Sequence, residues 1–237
     1  MPNELSVVPL VFMYHSVASR GADPNSITVT PSRFQRQMEW LKRRGLRGSS
    51  MQQLLDAADR GSTEGLIGLT FDDGYADFTA YVAPVLTRYG FTATTYVVAG
   101  KLGGCNDWDA GPVKALMTAE EVREVARLGV EIGSHGLSHR ALSNADPDAL
   151  LLEMQRSRMI LQALLDEPVR GFCYPYGAVS EAAVSAARAA GYDYAVSTWC
   201  HAKRNRYAIP RTYVGNRDGV TRLYAKQFRH WLSWGRP

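Results

Sequence analysis

Short apolar runs alternate with amphipathic stretches along almost the whole chain, and this alternation limits the fold more than any other feature. Val7 to Met13, Leu66 to Phe71, Ala93 to Ala99, Val130 to Ser134, Val169 to Tyr174, Tyr194 to Ser197 and Ile209 to Val214 read as buried strands. Helical signals fall between them. After Thr30-Pro31, the apolar Phe34, Met38 and Leu41 recur at i, i+4 and i+7, and Gly45 ends that helix. Met51 to Ala58 is a short helix, Tyr75 to Tyr89 a longer one closed by Gly90, and Thr118-Ala119-Glu120-Glu121 a capping box opening a helix to Leu128. Asp146-Pro147 opens the longest helix, to about Leu165, and Ser180 to Ala190 and Gly219 to Trp231 complete the set. Strand-helix alternation without repeats or linkers predicts an α/β fold, a parallel barrel, distorted or incomplete, of about seven strands. The competitor is a doubly wound open sheet, but no GxGxxG or Walker loop supports its nucleotide-binding form. At 237 residues with 46% hydrophobic residues, one domain over residues 1–237 is the expectation.

Charge and cysteines narrow the function further. The net charge is +4, with cations clustered at Lys42-Arg43-Arg44, Lys203-Arg204-Asn205-Arg206 and Arg222 to Arg236. No nucleic-acid recognition motif accompanies them, so they are expected to be solvated faces, or a rim suited to an anionic or diphosphate-linked glycan. Cys105, Cys173 and Cys200 are odd in number and widely spaced, giving neither a disulfide framework nor a CxxC site. No run approaches the ~18 apolar residues of a membrane span, and the N-terminus lacks the pattern of a secretory signal. A cytoplasmic location is the default expectation, an extracytoplasmic one if a leader has been trimmed. The sequence sets no oligomeric state.

The chemistry concentrates in two runs, Leu69-Thr70-Phe71-Asp72-Asp73-Gly74-Tyr75 and Ser134-His135-Gly136-Leu137-Ser138-His139. Each has a plain alternative, an Asp-Gly turn for the first and a pair of structural histidines for the second. Both follow predicted strands, where barrel enzymes keep their catalytic groups. Two imidazoles and a carboxylate are a sufficient set for a divalent metal with open positions, and the second carboxylate is free to act as a base. Zinc fits first; cobalt, nickel and iron accept the same donors.

Thr70-Phe71-Asp72-Asp73-Gly74, His135-Gly136-Leu137-Ser138-His139 and Tyr174-Pro175-Tyr176-Gly177 resemble, in order, three motifs of the polysaccharide deacetylases, carbohydrate esterase family 4. Met13-Tyr14-His15-Ser16-Val17, Phe34 and Leu41 to Gly45 are similar to the branch acting on poly-β-1,6-N-acetylglucosamine. The resemblance implies a distorted (β/α)7 barrel and metal-dependent release of acetate from an N-acetylated carbohydrate, polymeric or lipid-linked, in exopolysaccharide or envelope glycan formation. It also implies Asp73, His135 and His139 as metal ligands, Asp72 as base and the Tyr176 backbone N–H as an oxyanion donor.

The chain departs from that pattern twice. Cys173 stands where the family has an arginine that orients the base, so Arg211 is the substitute candidate, with a surface arginine as the alternative. The late Leu-x-x-His is absent, leaving His15 as the candidate general acid and His201 behind it, while His230, on the basic last helix, is expected to face solvent. Candidate substrate contacts are Tyr75, Trp108, Tyr174, Pro175 and Trp199, the aromatic faces suiting a pyranose ring. The loop from Gly100 to Pro112 is expected on the same face. Alternatives are a deformylase, a cyclic-amide hydrolase, an O-deacetylase, or a silent glycan-binding module.

Overall fold

The computed structural model describes residues 5, 8–19, 21–143, 145–198 and 205–234. Its elements run β1 (Val11–Tyr14), β2 (Ser16–Val17), β3 (Thr28–Val29), α1 (Pro31–Arg43), β4 (Arg47–Ser49), α2 (Met51–Asp59) and β5 (Leu66–Phe71). A π-helical turn, Phe78–Val82, leads into α3 (Ala83–Tyr89), followed by β6 (Thr94–Val97), α4 (Ala119–Arg127), β7 (Glu131–Ser134) and α5 (Pro147–Leu165). The chain then forms β8 (Gly171–Cys173), α6 (Glu181–Ala189), β9 (Tyr194–Ser197), β10 (Ile209–Pro210), β11 (Thr212–Tyr213) and α7 (Val220–Trp234).

Local sequence explains several helix boundaries. Pro31 starts α1, whose Phe34, Met38 and Leu41 are fully buried. Thr118 and Glu121 form the reciprocal capping box of α4, and Asp146 accepts from the N–H groups of Asp148 and Ala149 at the start of α5. Gly90, at φ +66°, ends α3 in the left-handed conformation.

The main sheet has the order β10-β9-β8-β7-β6-β5-β1-β11, with β4 beside the start of β5, and its pairings are parallel. Closure comes from one segment. Ile209 pairs with Val196 on β9 and Thr212 with Phe12 on β1, so residues 209–213 join the two edges of the sheet. Counted as one strand, that segment makes a seven-stranded distorted (β/α) barrel. The expected continuous strand Ile209 to Val214 is broken at Arg211 because its two halves pair with different neighbours. The small sheet of β2 and β3 and the strand β4 carry no strong periodic signal, since each is only two or three residues long.

One core lies between the strands and the helices, where Tyr14, Phe34, Phe71 and Phe78 pack ring against ring. A smaller one joins Met51, Leu54 and Leu55 of α2 to Val11, Tyr96, Cys173, Tyr194, Val196 and Ile209 of the strands. Packing on both faces of the sheet is what a near-continuous apolar strand requires. Among the described residues, no helix is long and apolar enough to cross a membrane. His230 does not face solvent as expected: it is buried, with Nε2 3.0 Å from the Val8 carbonyl, and burial lowers its pKa.

Candidate metal centre and active site

The turn after β5 brings Asp72 and Asp73 to the C-terminal end of the barrel, and both are buried. Asp73 adopts φ +71°, a left-handed conformation unusual for a residue with a Cβ. Gly74 follows at φ +77°, and a Cβ there would lie 2.8 Å from Val97 Cγ1, so the turn packs directly on β6. His135 leaves β7 and His139 follows one turn later at φ +61°. Three of the five non-glycine residues with positive φ among the described residues, Asp73, His139 and Tyr176, meet here. Such conformations cost about 1–3 kcal/mol each and persist where the surroundings hold them.

Asp73 Oδ1 lies 3.3 Å from His135 Nε2 and 3.2 Å from His139 Nε2, yet it is buried with no hydrogen-bond partner. These spacings fit the edges of a tetrahedron, about 3.4 Å, around an ion ~2.0–2.1 Å from each donor. His135 Nδ1 is 2.8 Å from the Cys173 carbonyl, and donation of its N–H there leaves the Nε2 lone pair directed at the common point. The donor set therefore suits a divalent cation.

The loop between the two histidines is held from below. Glu153 of α5 accepts from the backbone N–H groups of Leu137 and Ser138, at 2.9 and 3.0 Å, and from Ser138 Oγ at 2.5 Å. The sequence reading missed this residue. Its signal was a carboxylate on the buried stripe of α5, beside Leu150, Met154, Ser157 and Leu161.

Asp72 is clamped by Arg211 through two parallel bonds, Nη1 to Oδ1 at 2.6 Å and Nη2 to Oδ2 at 2.7 Å. Arg211 is buried, not on the surface, and also donates to Ser197 O, Thr70 Oγ1 and Cys173 Sγ. The Cys173 thiol lies 3.1 Å from Nη2, so the short side chain at that position leaves room for a guanidinium arriving from another strand. Burial by itself would raise the Asp72 carboxyl, but the Arg211 charge and hydrogen bonds outweigh it and hold the group below its ordinary value. Burial pushes the Cys173 thiol up, which keeps it protonated. On the other side, His15 Nε2 is 3.9 Å from Asp72 Oδ2, and its Nδ1 is buried without a partner.

A cleft of about 420 Å³ opens above these groups, lined by His15, Asp72, Asp73, His135, His139, Tyr75, Trp108 and Tyr176 among others. Trp108 stacks on His139 at 4.2 Å, and Tyr176 meets the same ring edge-on at 4.8 Å while donating its hydroxyl to Asp109. The Tyr176 turn depends on Gly177, where a Cβ would collide with Thr198. Tyr75 lines the cleft but is only 2% exposed, so it offers no open face for stacking. Tyr174 is not a cleft residue: it is buried against Phe172 and donates to the Tyr207 carbonyl. Pro175 is likewise buried and does not line the cleft. Their aromatic and turn character suits core packing as well as substrate contact, and the turn after β8 carries them inward. Trp199 and His201 lie outside the described residues. Lys114, which the sequence reading did not single out, lines the cleft and donates to Ser16 Oγ, which in turn donates to Asp77.

Residues 59–195 match the polysaccharide deacetylase family, more than half of the chain. The chain belongs to the polysaccharide deacetylase family. His15 and Arg211 fall outside the matched segment, so their placement comes from the structure. YxkH of Bacillus subtilis (strain 168) is 30% identical over 190 residues, which make 79% of this chain and 63% of that protein. The poly-β-1,6-N-acetyl-D-glucosamine N-deacetylase of Staphylococcus aureus (strain N315) is 23% identical over 220 residues, 86% of this chain and 73% of the relative. The chain thus spans less than two thirds of the length of YxkH. The Streptococcus pyogenes deacetylase PplD, solved with acetate, superposes with a TM-score of 0.79 at 23% identity, covering 94% of this chain and 98% of the other. At that identity the superposition shows a shared barrel fold.

Proposed function

We propose that this chain is a metal-dependent hydrolase that removes N-acetyl groups from an N-acetylated sugar, oligosaccharide or polysaccharide, releasing acetate and a free amine. The observation that carries this reading is the convergence of Asp73, His135 and His139 on one point beside a second carboxylate clamped by Arg211, in a chain of the polysaccharide deacetylase family. The names of its relatives support N-acetylglucosamine polymers as the first substrates to test.

Asp73 Oδ1 and the two Nε2 atoms would hold the cation, zinc before cobalt, nickel or iron. Lewis acidity, to polarise an amide carbonyl and acidify a water, is what such a cation supplies there. Asp72, kept ionised by Arg211, accepts the proton of the attacking water as the new C–O bond forms. Arg211 holds both carboxylate oxygens in one plane, so the base cannot rotate away. The Tyr176 backbone N–H, at the rim beside His139, donates to the oxygen that gains charge, a contribution of roughly 3 kcal/mol for such a donor. As the C–N bond breaks, His15 delivers a proton to the departing nitrogen. Trp108 and Tyr176 form the walls that the sugar meets.

The test is acetate release from N-acetylglucosamine oligomers by the metal-stripped protein, before and after zinc, cobalt or nickel is added. Release restored by metal is the expected result. Stoichiometric metal binding without release from any N-acetylated sugar would overturn the substrate assignment and point to another amide or an ester.

A further inference from the structure

A groove of about 940 Å³, larger than the cleft over the metal centre, lies beside that cleft. The two adjoin, because Asp23 and Tyr213 line both. The first turn of α1 and the segment Gly215 to Asp218, which leads into α7, form its walls. Five cations line it, Arg33, Arg217, Arg222, Lys226 and Arg229, against two carboxylates, Asp23 and Asp218.

Both carboxylates are already engaged. Asp23 accepts from the backbone N–H groups of Ile27 and Thr28, at 3.0 and 2.9 Å. Asp218 accepts from Lys226 Nζ at 2.6 Å and from the Gly215 N–H at 2.8 Å. The four arginines have no carboxylate partner among the described residues. Arg33 reaches across to the start of α7, since a Cβ on Gly219 would lie 3.5 Å from its Nη1. Four guanidinium groups on one concave surface repel each other until an anion joins them. The N-terminus of α1, whose N-cap Thr30 and Arg33 line the groove, adds positive potential. One carboxylate would engage a single arginine fork, whereas a phosphate or diphosphate presents enough oxygens for several.

We propose that this groove binds a phosphate or diphosphate group joined to the acetylated sugar, so that a sugar phosphoester is preferred over a neutral glycan. The proposal rests on the deacetylase reading and deepens it: the cleft takes the N-acetyl sugar and the groove takes its anionic end. A nucleotide-linked sugar and a prenyl-linked sugar share this chemistry.

The first measurement is calorimetric binding of glucose 1-phosphate to the wild-type protein and to an Arg222→Ala/Arg229→Ala variant, with glucose as the neutral control. Both arginines are exposed, so the substitutions leave packing untouched. The phosphate ester is expected to bind the wild type, and the variant about tenfold more weakly or worse. Equal binding of glucose and its phosphate, or unchanged affinity in the variant, would overturn the proposal. The second measurement compares kcat/KM for a neutral N-acetylglucosamine oligomer and for N-acetylglucosamine diphosphate esters. The variant is expected to lose at least tenfold on the esters only; an equal loss on both would overturn the groove and leave the deacetylase reading standing. Phosphate binding with no acetate release from any substrate would sink the deacetylase reading and leave the groove. Competition by a nucleoside diphosphate or by a prenyl diphosphate in detergent identifies the natural source, and competition by neither would count against the proposal.

Discussion

Two carboxylates sit inside the same barrel at opposite ends of its strands, and their surroundings differ in kind. Glu131, at the N-terminal end of β7, receives three neutral donors: the Gln52 N–H and Thr94 Oγ1 on one oxygen, the Tyr194 hydroxyl on the other. Burial pushes its carboxyl up, and those hydrogen bonds only partly offset the shift. Asp72, at the C-terminal end, is more fully enclosed, yet a guanidinium holds its carboxyl down, and the neighbouring Asp73 keeps one buried oxygen without a hydrogen bond. Hydrogen bonding alone accommodates an acid in a wall. A full opposing charge keeps an acid ionised where water and substrate must meet it, and an oxygen left open beside it marks the place of a ligand that is not protein.

The largest effect expected from breaking this contrast is at the metal-binding end. Asp73→Ala should abolish both metal binding and acetate release, whereas Asp72→Asn should retain stoichiometric metal while kcat falls by about 10²–10⁴-fold, the range for loss of a general base. Elemental analysis beside single-turnover acetate release distinguishes the two, and near-normal turnover by Asp72→Asn would remove Asp72 from the mechanism. Next comes Arg211→Gln. Without the guanidinium, the main opponent of burial at Asp72 is gone and only the weaker pull of His15 and His135 remains, so its pKa rises and the base becomes protonated at higher pH than before. The acid limb of the kcat/KM profile should therefore move up in pH, with kcat/KM at neutral pH falling about 10–100-fold. An unmoved acid limb would show that Arg211 does not govern the base.

A smaller change is expected at Glu153. Glu153→Ala leaves the Leu137 and Ser138 N–H groups without their acceptor and loosens the loop that spaces His135 and His139, so metal affinity should drop about 10–100-fold. A competition titration against a chromogenic chelator measures it; an affinity within twofold of wild type would make Glu153 a packing residue only. The smallest functional effect belongs to Glu131→Gln. Its new NH₂ faces groups that already donate, which costs about 1–3 kcal/mol of stability, while kcat should stay within about twofold because the site lies at the other end of the strands. Urea denaturation and steady-state kinetics check the pair, and a large loss of kcat would show that the two ends of the barrel are coupled.

The site was legible in the sequence wherever its residues are contiguous. Asp72 and Asp73 follow an apolar run, and His135 and His139 lie within five residues of each other, so local spacing and strand periodicity were enough to bring them to one face. The partnership of Asp72 and Arg211 crosses 139 residues and was readable only as one alternative of two. The inward burial of Tyr174 and Pro175 and the enclosure of His230 depend on distant partners, the Tyr207 carbonyl for Tyr174 and the Val8 carbonyl for His230. Glu153 was visible in principle, as a charge on a buried helical stripe, but its partners lie on another element.

By itself the sequence determined the alternation of strands and helices, the helix caps and the two acid and histidine runs, because each is set by interactions a few residues long. Only the tertiary structure decided how residues 209–213 join both edges of the sheet, which places a guanidinium against Asp72 beside the thiol of Cys173. It also gathered arginines from α1, α7 and the loop between β11 and α7 around one groove. Closing a barrel brings together side chains that are far apart along the chain, and no local propensity encodes which of them will meet.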